Sequence, residues 1–164
     1  MLINKSIIDL IMTKLELKIP PLLLVLIFAT LMWLLPLFNQ TIFINENITI
    51  ALFLFFEVSG LVIILIGALA FKKAQTTVNP TKPETSSSLV KTGIYTITRN
   101  PMYLGMVTCL IGWGIYLGNP NSLFFIIGFI LYMNQFQIKP EEKMLTTIFK
   151  QEFIDYRASV RRWI

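Results

Sequence analysis

Leu89-Val90-Lys91-Thr92-Gly93-Ile94-Tyr95-Thr96-Ile97-Thr98-Arg99-Asn100-Pro101-Met102-Tyr103-Leu104-Gly105 is the stretch around which this chain is organised. Only here do polar, aromatic, basic, glycine and proline residues crowd together at the edge of a long apolar run. Asn is a favoured helix N-cap, and Pro suits the first helical turn because the N–H it lacks would be unpaired there. Pro101 also biases Asn100 towards the extended backbone an N-cap needs. The stretch therefore predicts a hydrophobic helix starting at Pro101, with unpaired N–H groups at a membrane surface. Such an end attracts anions.

Upstream of it, residues 72–100 are largely polar. A loop of this length inside a compact protein is usually functional or disordered. Ser86-Ser87-Ser88 alone would read as a linker, but Thr76-Thr77-Val78-Asn79-Pro80 and residues 89–98 are too apolar and too specific for that. Before the loop comes an apolar run from about Ile48 to Phe71, closed by Lys72-Lys73, and before that a run from Pro20 to Phe38. Each run matches the roughly 20 apolar residues that a membrane-crossing helix needs. Residues 1–18 mix Leu2, Ile3, Ile7, Leu10 and Leu15 with Lys5, Asp9, Lys14 and Glu16, a pattern for a helix lying on the membrane. No small-residue cleavage site follows a short apolar core, which disfavours a signal peptide.

Downstream, apolar runs from Pro101 to Leu117 and from Ser122 to Ile138 flank a tight turn, Gly118-Asn119-Pro120-Asn121. Gly105, Gly112 and Gly114 allow close helix contact on the first of these runs. The second ends in Asn134, Gln135 and Gln137, and Pro140 is expected to break its direction. Residues 141–164 read as one amphipathic helix, with Leu145, Phe149, Phe153, Tyr156, Val160 and Trp163 on one side.

Every Lys and Arg falls in the N-terminal segment, in 72–99 or in 139–162, and the links 39–47 and 118–121 have none. The positive-inside rule then places both termini and the long loop in the cytoplasm. The fold class expected is an all-α integral membrane bundle, with four transmembrane helices plus N- and C-terminal interfacial amphipathic helices. It forms a single domain over 1–164, in which 1–72 supply the anchor and the first two spans and 73–164 the functional part. A bacterial inner membrane is the expected location.

The chain is 55% hydrophobic, more apolar than soluble domains of 164 residues usually are. It contains no His, and Cys109 is its one cysteine. That excludes His-dependent triads, His-ligated haem, the usual zinc enzymes and any disulfide framework. Chemistry must come from carboxylates, amides, hydroxyls, Arg, Lys and backbone. Glu57 lies deep in the second span, where an ionisable group faces the bundle interior. A protonated Glu57 bonded to a neighbouring helix is favoured over a substrate or proton site.

Taken singly, the remaining candidates have plain explanations. Glu141-Glu142 after Pro140 are acids at a helix start. Arg99 is a topology charge, and Tyr95 and Tyr103 are interfacial aromatics. Together they offer an anion site at a helix end, a guanidinium, acids for an ammonium group, and aromatic walls. That set suits a zwitterionic, adenine-bearing ligand approached from the cytosol.

The chain resembles the isoprenylcysteine carboxyl methyltransferase family, and more widely the membrane phospholipid methyltransferases. The resemblance rests on Thr76–Pro80, Leu89–Tyr95, Arg99–Gly105, Pro140-Glu141-Glu142, and Tyr156 with Val160-Arg161-Arg162-Trp163, in matching order and spacing over about residues 70–164. It implies S-adenosylmethionine as methyl donor, in a cytoplasm-facing pocket capped by the loop and the C-terminal helix. It also implies a lipophilic acceptor, such as an isoprenylcysteine-type carboxylate, entering from the bilayer. By position it puts Ser88, Leu89, Val90, Tyr95, Asn100, Pro101, Tyr103 and Glu141 around the cofactor, with Arg99 and Glu142 as the candidate catalytic pair. Eukaryotic members usually carry His where this chain has Asn100, and an amide cannot serve as a base. No metal or nucleic acid is implied; membrane lipids are.

Two rival classes stay open on sequence. Membrane sterol-type reductases resemble this architecture and use NADPH. A small transporter or lipid-binding protein organised on Glu57 would need neither the long loop nor the paired acids.

Overall fold

The structure, a computed structural model, describes residues 16–34, 45–75 and 87–164. The expected interfacial helix over 1–18, apart from its last three residues, and the Thr76–Pro80 motif lie outside the described residues. All regular structure among the described residues is helical, as expected. The elements are α1 (Pro21–Leu34), α2 (Glu46–Lys73), a 3₁₀ turn (Gly93–Thr96), α3 (Pro101–Leu117), α4 (Ser122–Tyr132), a π-helical segment (Met133–Ile138), α5 (Lys139–Phe149) and α6 (Gln151–Ser159).

Among the described residues two helices are long and apolar enough to cross a bilayer: α2, and the continuous run Ser122–Phe149 formed by α4, the π segment and α5. The apolar part of that run ends at Ile138. The other two apolar helices are shorter, 14 residues in α1 and 17 in α3. At 1.5 Å per residue they reach about 21 and 26 Å, against about 30 Å of hydrocarbon.

The two longest-paired neighbours, α2 and α3, pack with their backbones in contact. A Cβ on Gly60 would sit 2.7 Å from the Gly105 carbonyl oxygen, and one on Gly105 would sit 2.6 Å from the Gly60 carbonyl oxygen. Lipid supplies no hydrophobic force between helices, so close packing of small residues has to hold them together. Glu57 sits on this interface with a carboxylate oxygen over Gly112. It therefore faces the bundle rather than lipid. α1 joins α3 through a hydrogen bond from Trp113 Nε1 to the Ala29 carbonyl, 3.0 Å. Leu24, Met32, Leu110, Phe129, Met133 and Ile138 fill the core. The outer face of α2, with Phe55, Leu61, Leu65 and Leu69, is exposed and apolar, as a lipid-facing surface must be.

Two expectations about the C-terminal third are corrected. Pro140 does not turn the chain; helix runs through it from Ser122 to Phe149. The π segment just before it shifts the hydrogen-bond ladder, so that Lys139 N–H bonds to the Asn134 carbonyl. A proline needs no ladder donor, and the wide turn accommodates its ring. The break comes instead at Lys150, where φ is +47° and ψ is −120°. That backbone is strained for a residue with a Cβ. It splits the expected single amphipathic helix into α5 and α6, and folds α6 back towards the 93–100 segment.

Candidate functional site

α3 starts at Pro101, the residue at which the sequence predicted it, with Asn100 as the N-cap residue. The Asn100 side chain, however, makes no capping bond. Its amide Nδ2 donates instead to the Arg162 carbonyl, 2.9 Å, and its backbone N–H bonds to Thr98 Oγ1, 3.2 Å. Thr98 Oγ1 in turn donates to the same Arg162 carbonyl, 3.2 Å, and Arg99 N–H bonds to the Arg161 carbonyl, 3.0 Å. The C-terminal tail thus occupies the side of Asn100 that a cap would use.

Arg99 clasps the end of α6. Its Nη1 donates to the carbonyls of Arg157 and Val160, at 2.8 and 2.6 Å, which are orphan acceptors at a helix C-terminus. Its Nη2 donates to Glu142 Oε1, 2.8 Å. Arg162 approaches the same carboxylate from the other side, with Nε 3.0 Å from Oε1 and Nη2 2.6 Å from Oε2. One acid therefore bridges two guanidinium groups. Burial pulls the Glu142 carboxyl upwards, but the hydrogen bonds and charges of Arg162 and Arg99 outweigh it and hold it below the usual carboxylate range.

Glu141, its sequence neighbour, is in the opposite state. It accepts hydrogen bonds from Tyr103 Oη and Gln137 Nε2, both at 2.6 Å. Among the described residues no Lys or Arg pairs with it. Burial pushes its carboxyl up to about 7, and the nearby charge of Glu142 adds to this; the bonds from Tyr103 and Gln137 pull the other way. Tyr95 also titrates high, first through burial and then through Tyr156 and Glu141. Tyr156 Oη donates to the Tyr95 carbonyl, 2.7 Å, and the ring of Phe71 meets Tyr95 edge-on at 5.4 Å. These contacts seat α6 and the end of α2 on the 3₁₀ turn.

Between these elements lies a cavity of about 60 Å³. Ser88, Leu89, Val90, Tyr95, Asn100 and Glu141 line it, as do Arg99 and Glu142. Two residues expected at the cofactor, Pro101 and Tyr103, do not line it. Pro101 is fully buried against α2 near Gly67, and Tyr103 reaches the site only through its hydroxyl on Glu141. Phe71, Leu145, Phe153 and Tyr156 complete the wall. Leu145, Phe153 and Tyr156 belong to the apolar side expected of the C-terminal segment, and the break at Lys150 turns Phe153 and Tyr156 of α6 onto the cavity. Arg162, within the Val160–Trp163 motif, holds Glu142 and joins the site, a role that the sequence pattern does not single out. Asn134 has a matching role: its Oδ1 accepts from Trp163 Nε1, 3.1 Å, anchoring the tail to the π segment.

The family model for phospholipid methyltransferase matches residues 47–152. A protein-S-isoprenylcysteine O-methyltransferase of Saccharomyces cerevisiae is 40% identical over 80 residues, covering 49% of this chain and 34% of the yeast protein. The chain therefore spans about a third of that relative's length. An uncharacterized protein of Haemophilus influenzae is 43% identical over 63 residues, 38% of this chain and the whole of that protein. No solved structure matches. The family match takes in α2, the 93–100 turn, α3, α4 and both carboxylates, and stops short of Phe153 and Tyr156 on α6; the chain belongs to the phospholipid methyltransferase family.

Proposed function

We propose that the chain is an S-adenosylmethionine-dependent methyltransferase acting on a lipophilic acceptor, an isoprenylcysteine-type carboxylate or similar, at the cytoplasmic membrane face. The observation that carries this reading is Glu141. It is an acid with no cationic partner among the described residues, it lines an apolar and aromatic cavity, and it lies next to an acid fully engaged by arginines. A buried carboxyl held only by neutral donors can receive a ligand's cation, whose charge would favour its ionised form.

The donor set fits the cofactor. Glu141 would take its ammonium group, Asn100 retains one N–H and a carbonyl oxygen for polar contact, and Leu89, Val90, Tyr95 and Phe153 offer the flat apolar walls that an adenosyl group needs. The cavity as it stands is far smaller than a nucleoside, so binding requires α6 or residues 87–92 to move outward. α6 joins α5 at Lys150, whose positive φ makes that joint the strained point about which such a movement would occur. Bound S-adenosylmethionine supplies an already activated methyl group. The residues have then to align the acceptor and exclude water. A carboxylate or thiolate acceptor needs no base. For an amine, Glu141 with its raised carboxyl suits proton removal, whereas Glu142 is held anionic by two arginines and is a poor acceptor of protons. Arg99 and Glu142, the proposed catalytic pair, line the same cavity and also fix the tail that closes it.

Calorimetry of the purified chain with S-adenosylhomocysteine and with NADPH tests the reading. Binding of S-adenosylhomocysteine alone is the expected result. Binding of NADPH alone would move the chain to reductase chemistry.

We further propose four membrane crossings with both termini in the cytoplasm of a bacterial inner membrane; α1 and α3 would cross with local thinning or with help from flanking residues. Thiol labelling of cysteines introduced at Ser87 and Asn45 should show opposite sidedness. The same sidedness at both would defeat the four-crossing arrangement.

A further inference from the structure

A second concave feature lies on the far side of α5 from the cavity. It is a groove of about 490 Å³ between α5, α6 and the C-terminal tail, lined by Lys139, Lys143, Arg157 and Arg162 with Thr146 and Thr147. Its one acid, Glu142, has both carboxylate oxygens engaged by Arg162 and Arg99. Lys139 Nζ bonds to the neutral Gln135, 2.7 Å, and among the described residues no acid pairs with Lys143 or Arg157. The groove is therefore a concentrated positive site. Charges that merely set topology sit scattered on a surface. Here the backward fold of α6 at Lys150 brings Arg157 opposite lysines of α5 across a recess.

We propose that this groove binds the phosphate of an anionic membrane lipid. The groove opens where the apolar run ends, at Ile138 followed by Lys139, which is the headgroup level of a bilayer. Helical spacing places Leu131 and Phe124 on the side of this continuous helix that carries Lys139, and both are exposed, 63% and 72%. Acyl chains of a lipid held at the groove would lie along them. A free phosphate ion would have no use for that apolar track, which favours the lipid as source. The proposal rests on the bilayer placement given above and on no part of the methyl-transfer reading.

The test uses the full chain in nonionic detergent, without methyl donor, titrated with phosphatidylglycerol, phosphatidylcholine or inorganic phosphate; adducts are counted by native mass spectrometry. One saturable phosphatidylglycerol adduct is expected, well ahead of phosphatidylcholine and of phosphate. Each surface cation contributes about a fivefold factor to anionic-lipid affinity. The double variant Lys143→Gln with Arg157→Gln should therefore weaken the phosphatidylglycerol adduct by about tenfold or more. Lys72→Gln with Lys73→Gln removes the same charge at the end of α2 and should change it by no more than about twofold. Equal losses in the two double variants would show an effect of net charge alone and overturn the proposal. So would equal affinity for phosphatidylcholine, or phosphate that binds as tightly as the lipid and displaces it.

Discussion

Glu142→Ala should detach the C-terminal tail and lower stability by about 3 kcal/mol. Glu142 is buried, and the Arg99 side chain is only 10% exposed. Removing the acid leaves a guanidinium in a poorly solvated site with no counter-charge, and that penalty exceeds the loss of the bonds themselves. The Arg162 side chain is 31% exposed, so solvent recovers part of its share, and the lower end of the usual range is appropriate. The tail also carries the carbonyls that hold Thr98 and Asn100, so the start of α3 should loosen with it. Limited proteolysis after Lys150 and denaturant unfolding in detergent would report the change. The comparison is Glu152→Ala, which breaks the exposed Lys91–Glu152 pair (2.7 Å) and should cost less than about 1 kcal/mol. If both variants unfold alike, the two-arginine bridge does not hold the tail in place.

Glu141→Gln should separate stability from binding. The carboxyl is held up to about 7 in the folded chain, against 4.5 ordinarily. Its raised value means that the folded state favours the protonated form. That advantage is full at low pH and is lost as pH rises through about 7, because ionisation then favours the unfolded chain. At pH 8 the ligand-free Gln variant should therefore be more stable than wild type, by about 3 kcal/mol at most, and below pH 4 the two should converge. Affinity for S-adenosylhomocysteine should move the opposite way. Losing a charged hydrogen bond to the ligand ammonium costs about 1.5–3 kcal/mol, a tenfold to hundredfold rise in Kd. Wild-type affinity should also weaken as pH falls below about 7, where Glu141 takes up its proton. Glu152→Gln, on the same tail but away from the cavity, should alter neither quantity. A Glu141→Gln chain with unchanged affinity would remove the ammonium site on which the proposed cofactor depends.

Local signals in the sequence carried a large part of this architecture. Apolar length located the helices because a run without charge has nowhere to go but a bilayer or a core. Asn100-Pro101 marked the start of α3 to the residue, since that preference resides in the dihedral angles of two adjacent residues. The motif residues Leu89, Val90, Tyr95, Arg99, Asn100, Glu141 and Glu142 do meet around one cavity. What the chain order could not disclose was how neighbours differ. Glu141 and Glu142 are adjacent acids, yet one ends against Tyr103 and Gln137 and the other between two arginines 43 and 20 positions away. A π segment ahead of Pro140 and a left-handed residue at Lys150 decide this. Neither has a residue signature, because each is imposed by packing rather than by intrinsic propensity. Sequence by itself determined an all-helical membrane chain and the segments that meet around the cavity. Only the tertiary structure decided which acid is held by arginines and which by neutral donors, since a carboxyl's charge state follows from the burial and partners that distant segments bring to it.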